Sequence, residues 1–321
     1  MRRLGNGLFK SIISKENLAL AHENSKKGKG HYREVLEFET QRGYLLRCLR
    51  RKLLNNEFNT SKYRVKQKLE GRKLRTIYSL PYYPDRIVQH AILQVVESYI
   101  SKSFIRDTFQ SIKGRGTSDA RKRVLHFIKN NHPTHYLQLD IEKYYPSVKN
   151  EIMKMVVGKY IKCKDTICIL NNIINSCEGL PIGNYTSQIL GNMYLSDLDW
   201  FIKQKLGVSG YFRYCDDLVL FGVSAGELHR VKRTIEHKLL EIGLRVKPSW
   251  KVATLNSGLD FVGYQFYTDG IKLRKSIYKS AKNAIIKGKE VSIPAYHGWV
   301  KPLKDSKIKR EYYNAIRKQK K

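Results

Sequence analysis

Acidic residues are scarce in this chain: 28 Asp and Glu stand against 61 Lys and Arg, a formal net charge of +33 over 321 residues. Such an excess repels itself in a compact state, which implies a polyanion partner and argues against a self-contained neutral globule. Long apolar runs are also missing. Without a stretch of about 18 such residues the sequence predicts no membrane span, and a membrane surface is the weaker reading of the charge. Met1-Arg2-Arg3 leads into glycine and polar residues, so no signal peptide is expected. Cysteine is limited to Cys48, Cys163, Cys168, Cys177 and Cys215, an odd number without Cys-x-x-Cys spacing. These read as reduced thiols of a cytosolic protein. A zinc site from Cys163, Cys168, Cys177 and a histidine is disfavoured against ordinary packing. What the chain does have is 41% hydrophobic residues, enough for a real core.

The most informative stretch is Gly210-Tyr211-Phe212-Arg213-Tyr214-Cys215-Asp216-Asp217-Leu218-Val219-Leu220-Phe221. Two apolar, aromatic-rich runs flank adjacent carboxylates, which predicts a β-hairpin with Cys215 to Asp217 at its tip. A solvated Asp-Asp turn is the bland alternative. Crowding two like charges raises their pKa values, and hard divalent cations relieve that cost through carboxylate oxygen. Upstream, Leu137-Gln138-Leu139-Asp140-Ile141-Glu142-Lys143-Tyr144-Tyr145-Pro146 is another strand-like segment leading to an acidic residue. One carboxylate ending a strand, plus a pair on a hairpin, is what two-metal nucleotidyl transfer requires.

At this point the chain resembles the reverse transcriptases. Asp140 falls in their first palm motif, and Tyr214-Cys215-Asp216-Asp217 matches their Tyr-x-Asp-Asp signature. Gly179-Leu180-Pro181-Ile182-Gly183-Asn184-Tyr185-Thr186-Ser187-Gln188 stands where most of the family reads Gln-Gly-x-x-x-Ser-Pro. Ile182 replaces the Gln and Gln188 replaces the Pro, a pattern similar to the reverse transcriptases of diversity-generating retroelements. Arg75-Thr76-Ile77 and Asp85-Arg86-Ile87-Val88-Gln89-His90-Ala91 resemble fingers motifs, and Gly258-Leu259-Asp260-Phe261-Val262-Gly263-Tyr264 resembles the primer grip.

The resemblance implies an α+β right-hand polymerase fold: fingers, palm with an antiparallel sheet, and helical thumb. Its expected divisions are an N-terminal helical extension over 1–60, fingers over 61–135, palm over 136–270 with a fingers insertion at about 150–185, and a basic thumb over 271–321. No nuclease domain is expected after the thumb. It further implies that Asp140, Asp216 and the carbonyl of Ile141 hold two Mg²⁺ ions, for which Mn²⁺ can substitute. Asp217 belongs to the catalytic set, although alternation along a strand should turn its side chain away from Asp216.

Lys73 and Arg75 are the expected clamps on the nucleotide's β- and γ-phosphates, with exposed strand charges as the plain alternative. Tyr145 occupies the place of the sugar gate, where an aromatic plate excludes a 2′-hydroxyl. A core aromatic under the strand is the plain alternative, and Tyr144 and Tyr145 should face opposite sides. Ile182, Gly183 and Gln188 are assigned to the nucleotide and template pair, Gly183 for close backbone approach, and Ser187 is a possible helix cap. Lys251 is a general-acid candidate, with Lys247 competing for that role. Gly258, Phe261, Gly263 and Tyr264 form the expected primer grip.

The implied activity is RNA-directed synthesis of adenine-mutagenic cDNA from a template-repeat RNA, followed by an RNA/DNA heteroduplex product. The implied partners are that RNA, dNTPs and an oligomeric accessory variability protein, with no membrane, in the cytoplasm of a bacterium or a phage host. The alternative is a phage-defence or retron-type enzyme copying its own noncoding RNA. From Lys272 onward, 16 Lys and Arg against 3 Asp and Glu, with Tyr278, Tyr296, Trp299, Tyr312 and Tyr313 interleaved, suggest helices lying along duplex phosphates.

Overall fold

Apolar residues at helical spacing build the N-terminal region: α1 (Leu8–Ile12), α2 (Lys15–Ser25), α3 (Arg33–Thr40) and α4 (Arg42–Leu54). A computed structural model describes residues 3–5, 7–71, 73–288, 292–304 and 306–319; the side chains of Glu70, Lys73, Lys318 and Gln319 also lie outside the described residues. Ser14 caps α2 by accepting the Asn17 N–H at 3.1 Å. A hairpin follows, β1 (Arg64–Glu70) and β2 (Lys73–Ser79), paired from Arg64↔Ser79 to Glu70↔Lys73. That register places Gly71, with φ of 63°, at the turn.

The chain continues through α5 (Ile87–Ile100), β3 (Thr108–Phe109), α6 (Thr117–Asn131), β4 (His135–Asp140), α7 (Tyr144–Ser147), α8 (Asn150–Tyr160), α9 (Lys164–Asn175) and α10 (Tyr185–Trp200). Next come β5 (Tyr211–Tyr214), β6 (Asp217–Gly222), α11 (Ala225–Glu241), β7 (Lys251–Thr254), β8 (Leu259–Phe261), β9 (Tyr264–Tyr267) and β10 (Gly270–Leu273). Three helices close the sequence, α12 (Lys275–Ile286), α13 (His297–Val300) and α14 (Lys307–Gln319).

Two compact units form. The first comprises Met1–Arg106, Ile141–Phe201 and Glu236–Arg245. Within it α2 packs on α5, and Asn17 ties the two together by donating to the Ala91 carbonyl at 3.0 Å. Its aromatic centre is Phe38 against Tyr82 and the fully buried His22, whose ring meets the Tyr82 hydroxyl at 2.7 Å.

The second unit comprises Asp107–Asp140, Ile202–Ile235 and Val246–Lys321. It holds a five-stranded sheet of order β3-β5-β6-β4-β7 and a three-stranded sheet of order β10-β9-β8. Only β3 and β5 run parallel in the larger sheet. One core joins Tyr136, Phe212, Val219 and Phe221 of the larger sheet to Val124 of α6, Phe266 of β9, Ala281 of α12 and Tyr312 of α14. Each fully buried aliphatic or aromatic side chain there contributes about 1.5–3 kcal/mol relative to exposure.

The run 259–267 reads as a single strand, but the structure folds it into the β8–β9 hairpin. Val262 and Gly263 both take positive φ, 43° and 87°, the conformation that suits a two-residue hairpin turn. No disulfide joins any of the five cysteines, and no helix among the described residues is long and apolar enough to cross a membrane.

Candidate active site

β4 and β6 are antiparallel, and their register sets Asp140 directly opposite Asp217. Residues opposed in this way present their side chains to the same face. Tyr214 pairs with Asp217, so the hairpin turn contains only Cys215 and Asp216. The sequence places Asp217 in the turn as well; the ladder instead claims it as the first residue of β6. Cys215 has φ of 58° at the first turn position, where such hairpins favour glycine. A fully buried arginine over-determines this strained turn: Arg213 donates from its guanidinium to the Cys215 carbonyl at 2.9 Å. Its own N–H donates to the Asp107 carbonyl, also at 2.9 Å. Arg213 is a positioning residue that periodicity overlooked, although a lone cation inside Tyr-Phe-Arg-Tyr was the available signal.

The electrostatics of the cluster call for positive charge. Burial pushes the Asp216 carboxyl above its usual range, and Asp140 adds repulsion. Burial likewise pushes Asp217 up to about 7, opposed by the Gln138 amide and reinforced by Asp140 and Asp216. Gln138 Nε2 reaches Asp217 Oδ1 at 3.4 Å and donates to the Asp260 carbonyl at 2.8 Å. Asp140 Oδ2 pairs with the Lys247 ammonium, while Asp140 Oδ1 is buried with no hydrogen-bond partner. The Lys247 N–H also donates to the Asp140 carbonyl at 2.8 Å.

Among the described residues, no group of three or more His, Cys, Asp or Glu is gathered closely enough to enclose an ion. The donors still fit a hard divalent cation: one orphaned carboxylate oxygen, two carboxyls that burial disfavours as anions, and an ammonium pairing the third.

A pH dependence follows. An unfolded Asp protonates near pH 3.9, whereas folded Asp217 does so near 7. Between these values the folded state binds more protons, so metal-free stability falls as pH rises from about 4 to about 7. Asp217→Asn should therefore melt several degrees higher than the parent at pH 8 in EDTA, with the gap closing by pH 4. A gap independent of pH would contradict the assignment.

In the first unit, Arg75 is exposed on β2 opposite Lys68, while the side chain of Lys73 lies outside the described residues. Ile182 is half-buried, and its carbonyl accepts the Tyr78 N–H at 2.8 Å. This seats the Gly179–Gly183 segment on β2. Gly183 has φ of 125°, and an added Cβ would overlap the Tyr78 carbonyl oxygen. Its close approach in this structure is thus to Tyr78 of the β1–β2 hairpin.

Gly179, which sequence reasoning did not single out, has φ of 70°, and an added Cβ would come within 2.6 Å of the Tyr145 carbonyl oxygen. Leu180 N–H donates to that carbonyl at 2.8 Å. Tyr145 lies on the short helix α7 and not on a continued strand, so opposite-side alternation does not apply. Its ring is 5.4 Å from that of Tyr144. Tyr144 is the buried core aromatic, donating to the Gly191 carbonyl at 2.5 Å, and Tyr145 is half-buried.

Ser187 does not cap α10. Its hydroxyl donates to the Pro181 carbonyl at 2.8 Å. The helix instead starts at Tyr185, and the buried Gln89 side chain of α5 accepts from the N–H of Tyr185 at 2.8 Å and of Thr186 at 3.4 Å. Gln188 is exposed on the first turn of α10.

Back in the second unit, Lys251 is exposed on β7 with its ammonium 5.2 Å from the centre of the Tyr136 ring, whereas Lys247 touches Asp140. Phe261 and Tyr264 are buried in the core. Gly263 lies against the Trp299 ring, where a Cβ would overlap, and a Cβ on Gly258 would come within 2.9 Å of the Tyr267 ring. The Tyr264 hydroxyl donates to the Trp299 carbonyl at 3.2 Å, and the Arg121 guanidinium lies 5.5 Å from its ring centre.

A lone aspartate ending one strand, paired in register with an Asp-Asp hairpin, marks the palm of a nucleotide polymerase. The chain belongs to the reverse transcriptase family: the model for Reverse transcriptase (RNA-dependent DNA polymerase) matches residues 66–266. Members are RNA-directed DNA polymerases, which are nucleotidyltransferases.

Among solved structures the chain is similar to apo telomerase from Candida tropicalis truncated from its C-terminal domain. That match has 16% identity, covers 67% of this chain and 55% of that one, and has a TM-score of 0.53. Another apo telomerase from Candida tropicalis matches at 14% identity over 68% and 48%, TM-score 0.51. Telomerase from Candida albicans in complex with a TWJ fragment of telomeric RNA matches at 13% identity over 72% and 51%, TM-score 0.50. At these identities the likeness shows the fold, and this chain spans about half the length of those structures. No curated protein matches it.

Proposed function

We propose that this chain synthesises DNA on an RNA template within a diversity-generating retroelement, copying a template-repeat RNA with errors at adenines. The observation that carries the polymerase reading is Asp140 opposite Asp217 beside the Asp216 turn, with carboxyl groups that demand a cation. Asp140, Asp216 and the Ile141 carbonyl would hold Mg²⁺, or Mn²⁺ in its place. When bound, such ions lower the pKa of the primer 3′-hydroxyl and neutralise the triphosphate and leaving pyrophosphate.

The protein's own groups do the rest. Lys247, which pairs with Asp140, neutralises that carboxylate in the metal-free fold. Lys251 is free to donate a proton to departing pyrophosphate, since its ammonium rests over a ring and not on a carboxylate. Arg75 and Lys73 clamp the nucleotide phosphates, and Gln188 contacts the template pair near Gly183. Tyr145 rejects ribose. The hairpin of Gly258, Phe261, Gly263 and Tyr264 grips the primer through its rigid backbone, because its large side chains are buried. The division at 1–60, 61–135, 136–270 and 271–321 belongs to this proposal, as do dNTPs, the heteroduplex and an accessory variability protein as partners.

The retroelement reading rests on Ile182 and Gln188. An isoleucine can fill volume but neither donates nor accepts a hydrogen bond. One missing hydrogen bond near the nascent pair is worth about 0.5–1.5 kcal/mol, which relaxes pairing several-fold without abolishing catalysis. Ile182→Gln should lower misincorporation opposite template adenine more than opposite other bases. Sequencing cDNA made by both proteins on one defined RNA measures this, and equal adenine error rates would refute the role. Purifying the protein and sequencing its bound RNA tests the element itself. A repeat paired with a variable gene copy is expected, and a structured noncoding RNA from its own locus would favour the retron or defence alternative.

A further inference from the structure

The second unit contains a cavity of about 610 Å³ that belongs to neither the carboxylate cluster nor the primer-grip turn. It lies between the β9–β10 hairpin and the helices α12 and α14. Four cations line it from separate segments: Lys272 of β10, Lys275 at the start of α12, Lys304 before α14 and Lys307 at its first position. Asp269 is the one acidic side chain among the described lining residues.

No described carboxylate forms an ion pair with any of the four lysines. Asp260, close by in sequence, is already bound to Arg274 at 2.6 Å. Lys304 donates to the Asp269 main-chain carbonyl at 2.9 Å, and Lys272 sits 4.8 Å from the centre of the Tyr267 ring. Gathering these charges around one concavity costs Coulombic energy that an anion would relieve.

The rest of the lining tells which anion. Tyr267 and Tyr278, both half-buried, bring aromatic rings to the lining alongside aliphatic walls from Ile271 and Leu273. Such surfaces suit a planar base far better than a bare inorganic ion, which would gain nothing from them. Ser306 precedes α14, its carbonyl accepting the Arg310 N–H at 3.1 Å, and its hydroxyl oxygen is buried without a partner. That hydroxyl adds a neutral donor beside the lysines. The volume is also of the size that small-molecule sites use.

We propose that this cavity binds a nucleoside phosphate, its base against Tyr267 and Tyr278 and its phosphate among Lys272, Lys275, Lys304 and Lys307. The ligand is a free nucleotide. The site is separate from nucleotidyl transfer, so it stands or falls independently of the polymerase reading.

Fluorescent N-methylanthraniloyl-dATP, titrated into the whole protein in EDTA without template or primer, tests it. Binding should weaken at least tenfold in Lys275→Glu/Lys307→Glu and in Tyr278→Ala. It should persist in Asp216→Asn and in the charge-matched control Lys279→Glu/Lys301→Glu, whose lysines lie outside the lining. Melting curves check that each variant is folded. Equal loss in the control, displacement by tripolyphosphate as effective as by ATP, or no binding of the mononucleotide would overturn the proposal.

Discussion

Asp216→Asn is expected to lower RNA-templated nucleotide incorporation by about a thousandfold or more, with folding and RNA binding retained. Asp216 lies on a two-residue turn, held up in pKa by burial and by Asp140. The amide keeps the volume and the turn but removes the charged oxygen that a cation needs. A loss of about 4 kcal/mol of transition-state stabilisation corresponds to that thousandfold. Because the parent carboxyl is disfavoured in the metal-free fold, the variant should melt no lower than the parent in EDTA. Activity within tenfold of the parent, measured with Mg²⁺ and with Mn²⁺, would remove Asp216 from the catalytic set.

Tyr145→Ala is expected to let ribonucleotides compete with deoxyribonucleotides, narrowing the preference by tenfold to a hundredfold. Tyr144 beside it is anchored in the core by its hydroxyl on Gly191, whereas Tyr145 is half-buried. The change therefore removes a plate without opening the interior. Each tenfold of lost discrimination is about 1.4 kcal/mol of differential transition-state binding. Tyr145→Phe keeps the ring and should keep the preference. A dNTP preference unchanged in Tyr145→Ala would make the residue purely structural.

The strands that position Asp140, Asp216 and Asp217 were legible because their pattern is local. Alternating and continuous apolar runs mark β4, β5 and β6, and a single aspartate or an Asp pair interrupts each run. What periodicity missed are features set by pairing. Asp217 reads as a turn residue until the register places it opposite Asp140. Leu259 to Tyr267 reads as a single strand because only the dihedrals of Val262 and Gly263 reveal the hairpin. Thr108–Phe109 is too short to carry a pattern and exists as a strand through its parallel partner β5. The α10 cap was invisible for a similar reason: Gln89 is nearly a hundred residues away in sequence and supplies the acceptor that Ser187 was expected to provide. Lys247 and Lys251 were indistinguishable as motif neighbours. Folding separates them, one onto a carboxylate and the other over an aromatic ring.

Extension of a DNA primer on a defined RNA by the purified protein, with Mg²⁺ and all four dNTPs, is the most direct measurement of the central claim. Product complementary to the RNA, absent when Mg²⁺ is chelated and absent with Asp216→Asn, is the predicted result. Extension that ignores the template sequence, or complementary product of equal yield from Asp216→Asn, would contradict it.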